Sequence, residues 1–287
     1  MDNILSIIIP ALAFIIGAPL VGGFLSGADR IISARMQRRV GPPIWQSFFD
    51  VFKLLQKETV VVRPSQNVFI VFFLVFVIFT GVLFFTGGDL LLVIFSLALA
   101  SIFLVLAGYK GSSPYSFIGA ERELLQIMSY EPMVLIMAIA FYMVTDSFNV
   151  CEIMSHPVSL VTVLPGVFAG FLFILTIKLR KSPFDLSTSH HAHQEIVKGV
   201  TTEYSGRALA MIEIAHWYEL VLILGFIYLF FAQNIVLGVV AALAAYFLEI
   251  LVDNSTARLR WQWMLIGAWV VALIFGGGNI LALYLMR

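Results

Sequence analysis

The sequence predicts an all-α membrane protein of about eight transmembrane helices, with an amphipathic helix on the cytoplasmic side and both termini on the outer side. Three observations predict it. The 287 residues are 61% hydrophobic and 12% charged, with a mean hydropathy of +0.99, a balance foreign to soluble domains. Apolar runs long enough to cross a hydrocarbon core, about 20 residues each, recur along the whole length. The basic residues alternate between connections: sixteen of the 17 Lys and Arg fall in or beside the first, third, fifth and seventh, and the last is Arg287. The positive-inside rule therefore puts the odd connections in the cytoplasm, which requires an even number of spans.

The first apolar run, Ile4 to Leu25, follows "MDN" without a basic leader or a small-residue cleavage site, so it reads as a retained helix. Arg30 to Arg63 form the first basic connection. Within it, "GPPIWQSFFDVFKLLQKE" places Trp45, Phe48, Phe49, Phe52 and Leu55 on one helical face, with Gln46, Asp50, Lys53 and Lys57 elsewhere. This is the pattern of a helix lying in the interface plane, as an anchor or as the wall of a cavity. The basic run before it, "ARMQRRVGPP" with Arg35, Arg38 and Arg39, suits lipid phosphates or an acidic soluble partner.

Spans two and three run from Val68 to Phe85 and Leu90 to Ala107, and the fourth from Pro132 to Val144 with a helical lead-in from Phe117. The fifth to eighth are Leu160 to Ile177, Leu209 to Phe231, Ile235 to Val252 and Met264 to Met286. No repeat and no second domain is visible, so residues 1–287 read as a single polytopic domain. The one cysteine, Cys151, cannot supply the four thiolates an iron–sulfur centre usually needs. A dinucleotide fingerprint and a phosphate-binding loop are also missing, so electron transfer is expected in partner chains, and no nucleic-acid partner is expected.

Acids at membrane depth are the chemical signal. Glu121, Glu123, Glu131, Glu203, Glu213, Glu219, Glu249 and Asp253 lie in or at the ends of apolar helical patterns. There a central ionised side chain costs roughly 2.5–3.5 kcal/mol on insertion scales, so several must be neutral, paired or hydrated. In "GAERELLQIMSYEP", Glu123 and Glu131 stand a little over two turns apart, and Pro132 deprives the Met128 carbonyl of its helical donor, a usual cause of a kink and local hydration. In "TEYSGRALAMIEIAHWYE", the spacings are i,i+4 for Glu203 and Arg207, and i,i+3 for Glu213–His216 and His216–Glu219. Acid, base and acid thus follow one another up a helix. Such pairs can also just fix helix packing, but eight acids in one chain favour a proton path.

"RRVGPP", "GYKGSSPYSFIGAERELLQIMSYEP", and "KSPFDL" followed by "EIVKGVTTEYSG" occur in an order and spacing that resemble the NuoH-type subunit of respiratory complex I and its relatives in membrane-bound NiFe hydrogenases. After "PFDL", quinone-reducing members carry an acidic loop; here the place reads "STSHHAHQ". With "IEIAHWYE" and "DNSTARLR", this is similar to the energy-converting hydrogenases of the Ech and CO-induced kind. The resemblance implies a subunit of a ferredoxin-dependent, H2-evolving NiFe hydrogenase in the cytoplasmic membrane, coupling electron transfer to H+ or Na+ translocation. The implied partners are NiFe large and small subunits, iron–sulfur subunits, an antiporter-like membrane subunit, ferredoxin as donor and membrane lipids. The NiFe site and clusters would lie in those partners, with no cofactor in this chain. A quinone-chamber subunit of a complex I type oxidoreductase, a structural anchor and an independent transporter stay open.

By the same resemblance Glu123, Glu131, Glu203, Glu213 and Asp253, with His216 and Glu219 from the helix pattern, belong to a charge relay, and Arg122, Arg207 and Arg258 are its countercharges. Two unit charges 4 Å apart interact by about 4 kcal/mol at an effective dielectric of 20, enough to reverse a neighbour's protonation. The cluster His190, His191 and His193 matches no standard zinc spacing, and no metal site is expected in the chain. With Asp185, Glu195 and the arginines at positions 35, 38 and 39, it is expected to face the soluble redox arm, where histidines hydrogen-bond or take up protons. Asp185 reads as a cap and interface acid, and Pro183 as a rigid turn.

Overall fold

The computed structural model describes residues 2–58, 64–181, 183, 184, 187 and 198–286. Helices dominate them: α1 (Asp2–Met36), α2 (Gln46–Gln56), α3 (Pro64–Phe85), α4 (Leu90–Tyr109), α5 (Pro114–Thr145), α6 (Val150–Met154), α7 (Leu160–Val163), α8 (Pro165–Lys178), α9 (Gly206–Leu229), α10 (Ile235–Ser255), α11 (Trp261–Val271) and α12 (Gly278–Met286). A 3-10 turn, Gly199–Thr201, precedes α9, and a π segment, Ala272–Gly277, joins α11 to α12. Among the described residues the only β pairings are two isolated bridges, Asp89 with Asn149 and Phe184 with Leu259.

Seven helices among these residues are long and apolar enough to span: Ile7–Met36, Ser65–Phe85, Leu90–Tyr109, Pro114–Thr145, Gly206–Leu229, Ile235–Ser255 and Trp261–Met286. The chain is a multi-pass membrane protein. The span expected from Leu160 to Ile177 is built in two pieces, α7 and the 14-residue α8. Pro165 at the head of α8 is the cause, because it pushes the residue before it, Leu164, out of helical geometry (φ −118°, ψ 46°). At 1.5 Å per residue, α8 covers about 21 Å, short of a core about 30 Å thick. By contrast α5 absorbs the whole lead-in and runs unbroken through Pro132.

The chain falls into two compact units. The first comprises Met1–Thr86, Ser96–Leu124 and Asp185–Leu222. Here α1 packs on α2 and α3. Between α1 and α3, Phe14 fits against Gly81, where a Cβ would come within 2.0 Å of its ring, and stacks on Phe85 at 4.9 Å. Between α1 and α9, Gly22 lies so close to Trp217 that a Cβ would meet its carbonyl oxygen at 2.6 Å, and Tyr218 donates its hydroxyl proton to the Ile15 carbonyl at 2.6 Å. Apolar lipid supplies no hydrophobic drive between helices, so such contacts depend on small residues and close packing.

Helix α2 has the expected amphipathic stripe, but the stripe divides. Phe48, Val51 and Leu54 face the protein, packing with Ala210, Ile214 and Trp217 of α9, while Phe24 of α1 closes edge-on against Phe48 and Trp45. Phe49, Phe52 and Leu55 stay exposed, as an interfacial helix requires of its lipid face. Asp50 ties α2 to α1 through Arg30 and accepts from Gln46 at 2.7 Å. Desolvation pushes the Asp50 carboxyl up, but hydrogen bonds from Arg30 and Gln46 and the charges of Arg30 and Lys53 outweigh it and hold the group below its ordinary value.

The second unit comprises Gly87–Phe95, Leu125–Phe184 and Ile223–Arg287. Its core is aromatic: Phe230 packs on Phe141 at 4.8 Å and on Phe168 at 5.1 Å, and Phe171 meets Phe226. Helix α8 packs against the π segment, where Gly170 and Gly276 both close on Met133. Asn279 of α12 then caps α8: its Oδ1 accepts from the Gly166 and Val167 amides at 2.9 and 3.2 Å, and its Nδ2 donates to the Val163 carbonyl. Helix α10 packs on α8, burying Gly238, Ala242, Ala245, Tyr246, Glu249 and Ile250 and exposing Val239, Val240, Leu243, Phe247, Leu248 and Leu251.

The α1–α9 approach generates a test. Gly22→Ala is expected to destabilise the protein by about 1–3 kcal/mol, the range for overpacking a tight contact. Gly17→Ala on the same helix, with nothing within 4 Å of its Cβ, should leave stability unchanged or raise it slightly. Thermal or detergent unfolding of the two variants side by side makes the comparison.

Candidate functional site

Both units carry acids from the sequence's set. In the first, the chain comes out of the fifth connection at Lys198, in left-handed geometry (φ 59°), and winds through the 3-10 turn to Gly206 (φ 56°), where α9 starts. Val200 is fully buried in that turn. It wedges between α4 and α5, where a Cβ on Gly119 would lie 2.2 Å from the Val200 nitrogen and one on Gly108 would lie 2.8 Å from its Cγ2.

The wedge delivers Glu203 to the N-terminal end of α5. The Ser112 amide donates to both carboxylate oxygens at 2.9 Å, the Ser113 amide donates to Oε1, and Gln66 of α3 donates its Nε2–H to Oε2 at 3.0 Å. Those two amides lie just before α5, in the turn that leads into it, and the positive end of the helix dipole favours an anion there. Gly111 makes room, since a Cβ would lie 2.5 Å from Oε2. The expected helical i,i+4 pair of Glu203 with Arg207 is corrected: α9 begins only at Gly206, so Glu203 precedes the helix and finds its partners beside α5 and on α3, while Arg207 is exposed.

Glu123 on α5 is 6% exposed and accepts a hydrogen bond from the hydroxyl of Ser187. Ser187 is fastened in turn, its carbonyl accepting from the Val200 amide at 3.2 Å. Glu213, His216 and Glu219 keep the expected spacing on α9, with Glu219 buried and the other two half-buried. The His216 ring stands edge-on to Phe73 of α3 at 5.9 Å. Arg122 is half-buried, and Arg35, Arg38 and Arg39 are exposed at and beyond the end of α1. Beside Glu203, the Tyr204 hydroxyl is buried with no hydrogen-bond partner among the described residues. Burial, and then the Glu203 charge, push that phenol up, so it stays a proton donor.

In the second unit, Glu131 is half-buried on α5 and lies in the field of Lys178, whose ammonium donates to the Tyr130 hydroxyl at 2.9 Å and sits 4.5 Å above the Tyr130 ring. Arg258, read from the sequence as a countercharge of the acid set, pairs with Asp253 at 3.0 Å. Glu249, one turn before Asp253, is completely buried. Asp185, His190, His191, His193 and Glu195 lie outside the described residues. Among those residues no group of three or more His, Cys, Asp or Glu gathers to hold a metal.

Sequence reasoning did not single out Gln66, Ser187 or Tyr204 as site residues, and it counted Glu249 among the deep acids without giving it a role. For the first two no local signal exists, because their meaning comes from carboxylates 137 and 64 residues away. Glu249 did carry a signal: it falls in register with the small residues Gly238, Ala242 and Ala245 on the buried stripe of α10.

Residues 9–284 match the sequence pattern of the family described as NADH dehydrogenase. The chain is 32% identical over 223 residues to hydrogenase-4 component C of Escherichia coli (strain K12), covering 71% of this chain and 69% of that protein. It is 29% identical over 291 residues to formate hydrogenlyase subunit 4 of the same strain, covering 90% and 92%. NADH-ubiquinone oxidoreductase chain 1 of Mycosarcoma maydis is 29% identical over 311 residues, covering 94% and 92%. In fold, a chain of the membrane-bound sulfane sulfur reductase, an archaeal respiratory membrane complex, matches with a TM-score of 0.86 at 24% identity, over 96% of this chain and 99% of that one. A family match across nearly the whole length, on a multi-pass helical protein with acids buried in both units, leads to one conclusion: the chain belongs to the NADH dehydrogenase family of NuoH-like membrane proteins.

Proposed function

We propose that this chain is the membrane subunit of an energy-converting oxidoreductase complex, and specifically of a ferredoxin-dependent, H2-evolving NiFe hydrogenase that drives H+ or Na+ across the cytoplasmic membrane. The coarser reading rests on relatives named as parts of hydrogenase and NADH-ubiquinone oxidoreductase complexes. The finer one is favoured by the two hydrogenase-related names and by the "STSHHAHQ" segment. On this reading the NiFe site, the iron–sulfur clusters, an antiporter-like subunit and the ferredoxin site belong to partner chains, since this chain has one cysteine.

The observation that carries the proposal is the Ser187–Glu123 hydrogen bond. Ser187 stands in the connection that the sequence assigns to the redox arm, and Glu123 is a buried acid of the spanning helix α5. A change of protonation or position in that connection alters the hydrogen bonding of Glu123, and with it the cost of its charge in a poorly solvated place. Glu213, His216 and Glu219 on α9 carry the response along the first unit. Glu203 has a different part. Three donors fasten it at the head of α5, so it keeps the connection seated while the acids that follow change charge.

A second reading, a quinone-chamber subunit of a complex I type oxidoreductase, is favoured by the coverage of the NADH-ubiquinone oxidoreductase chain 1 relative. Identification of the chains that co-purify after gentle extraction separates the two: NiFe-ligating subunits support the hydrogenase, whereas NADH modules and sensitivity to quinone analogues overturn it.

Two outcomes follow within the complex. Ser187→Ala and Glu213→Gln are each expected to leave turnover with a soluble electron donor largely intact while lowering ion translocation into vesicles severalfold; unchanged translocation in both would remove the relay. Glu203→Ala is expected to lower resistance to unfolding by about 2 kcal/mol, the scale of hydrogen bonds to a charged group. An unfolding curve that matches the parent protein would show that Glu203 holds nothing.

A further inference from the structure

Glu249 stands apart from every other acid of the second unit. It is completely buried, and neither carboxyl oxygen has a hydrogen-bond partner among the described residues. Its neighbours on the buried stripe are Ala242, Ala245, Tyr246 and Ile250, and α8, on which α10 packs, has Phe171, Ile174 and Leu175 among its buried side chains. Lipid exposure cannot explain the residue, because the large side chains of α10 that face outward are apolar. A structural role is equally hard to assign, since a carboxyl that binds nothing fastens nothing. An ionised carboxylate without donors in such surroundings costs several kcal/mol, whereas the neutral acid is tolerated.

Two charged groups reach it electrostatically. They are Lys181, three residues past α8, and Asp253, one turn along α10. Asp253 is bound to Arg258 at 3.0 Å and is partly exposed, with 21% of its side chain accessible. Lys181 supplies a cation able to support a transient negative charge.

We propose that Glu249 is a proton-binding site that loads and unloads as the complex turns over. Loading adds one proton to the carboxylate; unloading returns it toward Asp253, whose pairing with Arg258 sets whether it accepts. This deepens the proposed function and rests on it for the driving force, but the site itself is defined by the burial and the orphaned oxygens.

The test is reaction-induced infrared difference spectroscopy on the purified intact complex, comparing oxidised and reduced states. The parent protein is expected to show a carbonyl band of a protonated carboxylic acid that shifts in deuterated water. Glu249→Gln should abolish that band, Glu249→Asp should retain it at a shifted position, and Glu249→Leu should assemble normally, since it removes a polar group that has no partner. Loss of the band in Glu249→Gln together with lost translocation supports the site. A difference spectrum unchanged by Glu249→Gln overturns it, and so does a band that follows Na+ concentration at constant pH. If the band behaves as expected while the parent complex moves no ion, the proposed function fails and the proton site stands.

Discussion

A membrane interior offers no water to a broken helix or to a carboxylate, so each polar group at depth must find its partner within the protein. That constraint accounts for the most specific contacts in this chain. Where Pro165 interrupts a span, Asn279 arrives from α12 to accept the amides of Gly166 and Val167. At the head of α5, Glu203 arrives from the turn before α9 and accepts those of Ser112 and Ser113. Helices α4 and α10 are capped locally, Asp89 accepting from Leu91 and Leu92 and Asn234 from Val236 and Leu237. Neutral and charged caps thus perform one task.

The same constraint gives meaning to the acids. A carboxylate tied by backbone amides, as Glu203 is, is held in place by geometry. One that accepts from a side-chain hydroxyl, as Glu123 does from Ser187, has hydrogen bonding that depends on where that hydroxyl sits. One whose oxygens meet no hydrogen-bond partner among the described residues, as those of Glu249 do, is costly to ionise. The three acids thus differ in how firmly the described residues hold them, and the cost of a charge at each differs accordingly.

Close helix contact gives those arrangements their rigidity. With no hydrophobic drive between helices in lipid, the backbones meet where side chains vanish: Gly22 at Trp217, Gly81 at Phe14, Gly119 at Val200, Gly170 and Gly276 at Met133. The wedge of Val200 between Gly108 and Gly119 sets the height at which Glu203 reaches α5. Packing and electrostatics are therefore one design in the first unit.

The sequence by itself determined the helical membrane class and the limits of most spans, because apolar run length and charge placement answer directly to the bilayer. The helical stretch that carries Glu213, His216 and Glu219 was also legible, since an apolar pattern marks it locally. The tertiary structure decided the rest. Whether Phe48 or Phe52 of α2 faces the protein depends on where Trp217 and Phe24 stand, although both belong to one amphipathic stripe. Glu203 left the expected helical pairing because Gly206 opens α9 after it, and the amides that bind it come from 90 residues away. Local pattern reports what a residue is and which face it shares, but a partner is chosen by distance in three dimensions, and that is set only when helices remote in sequence are packed side by side.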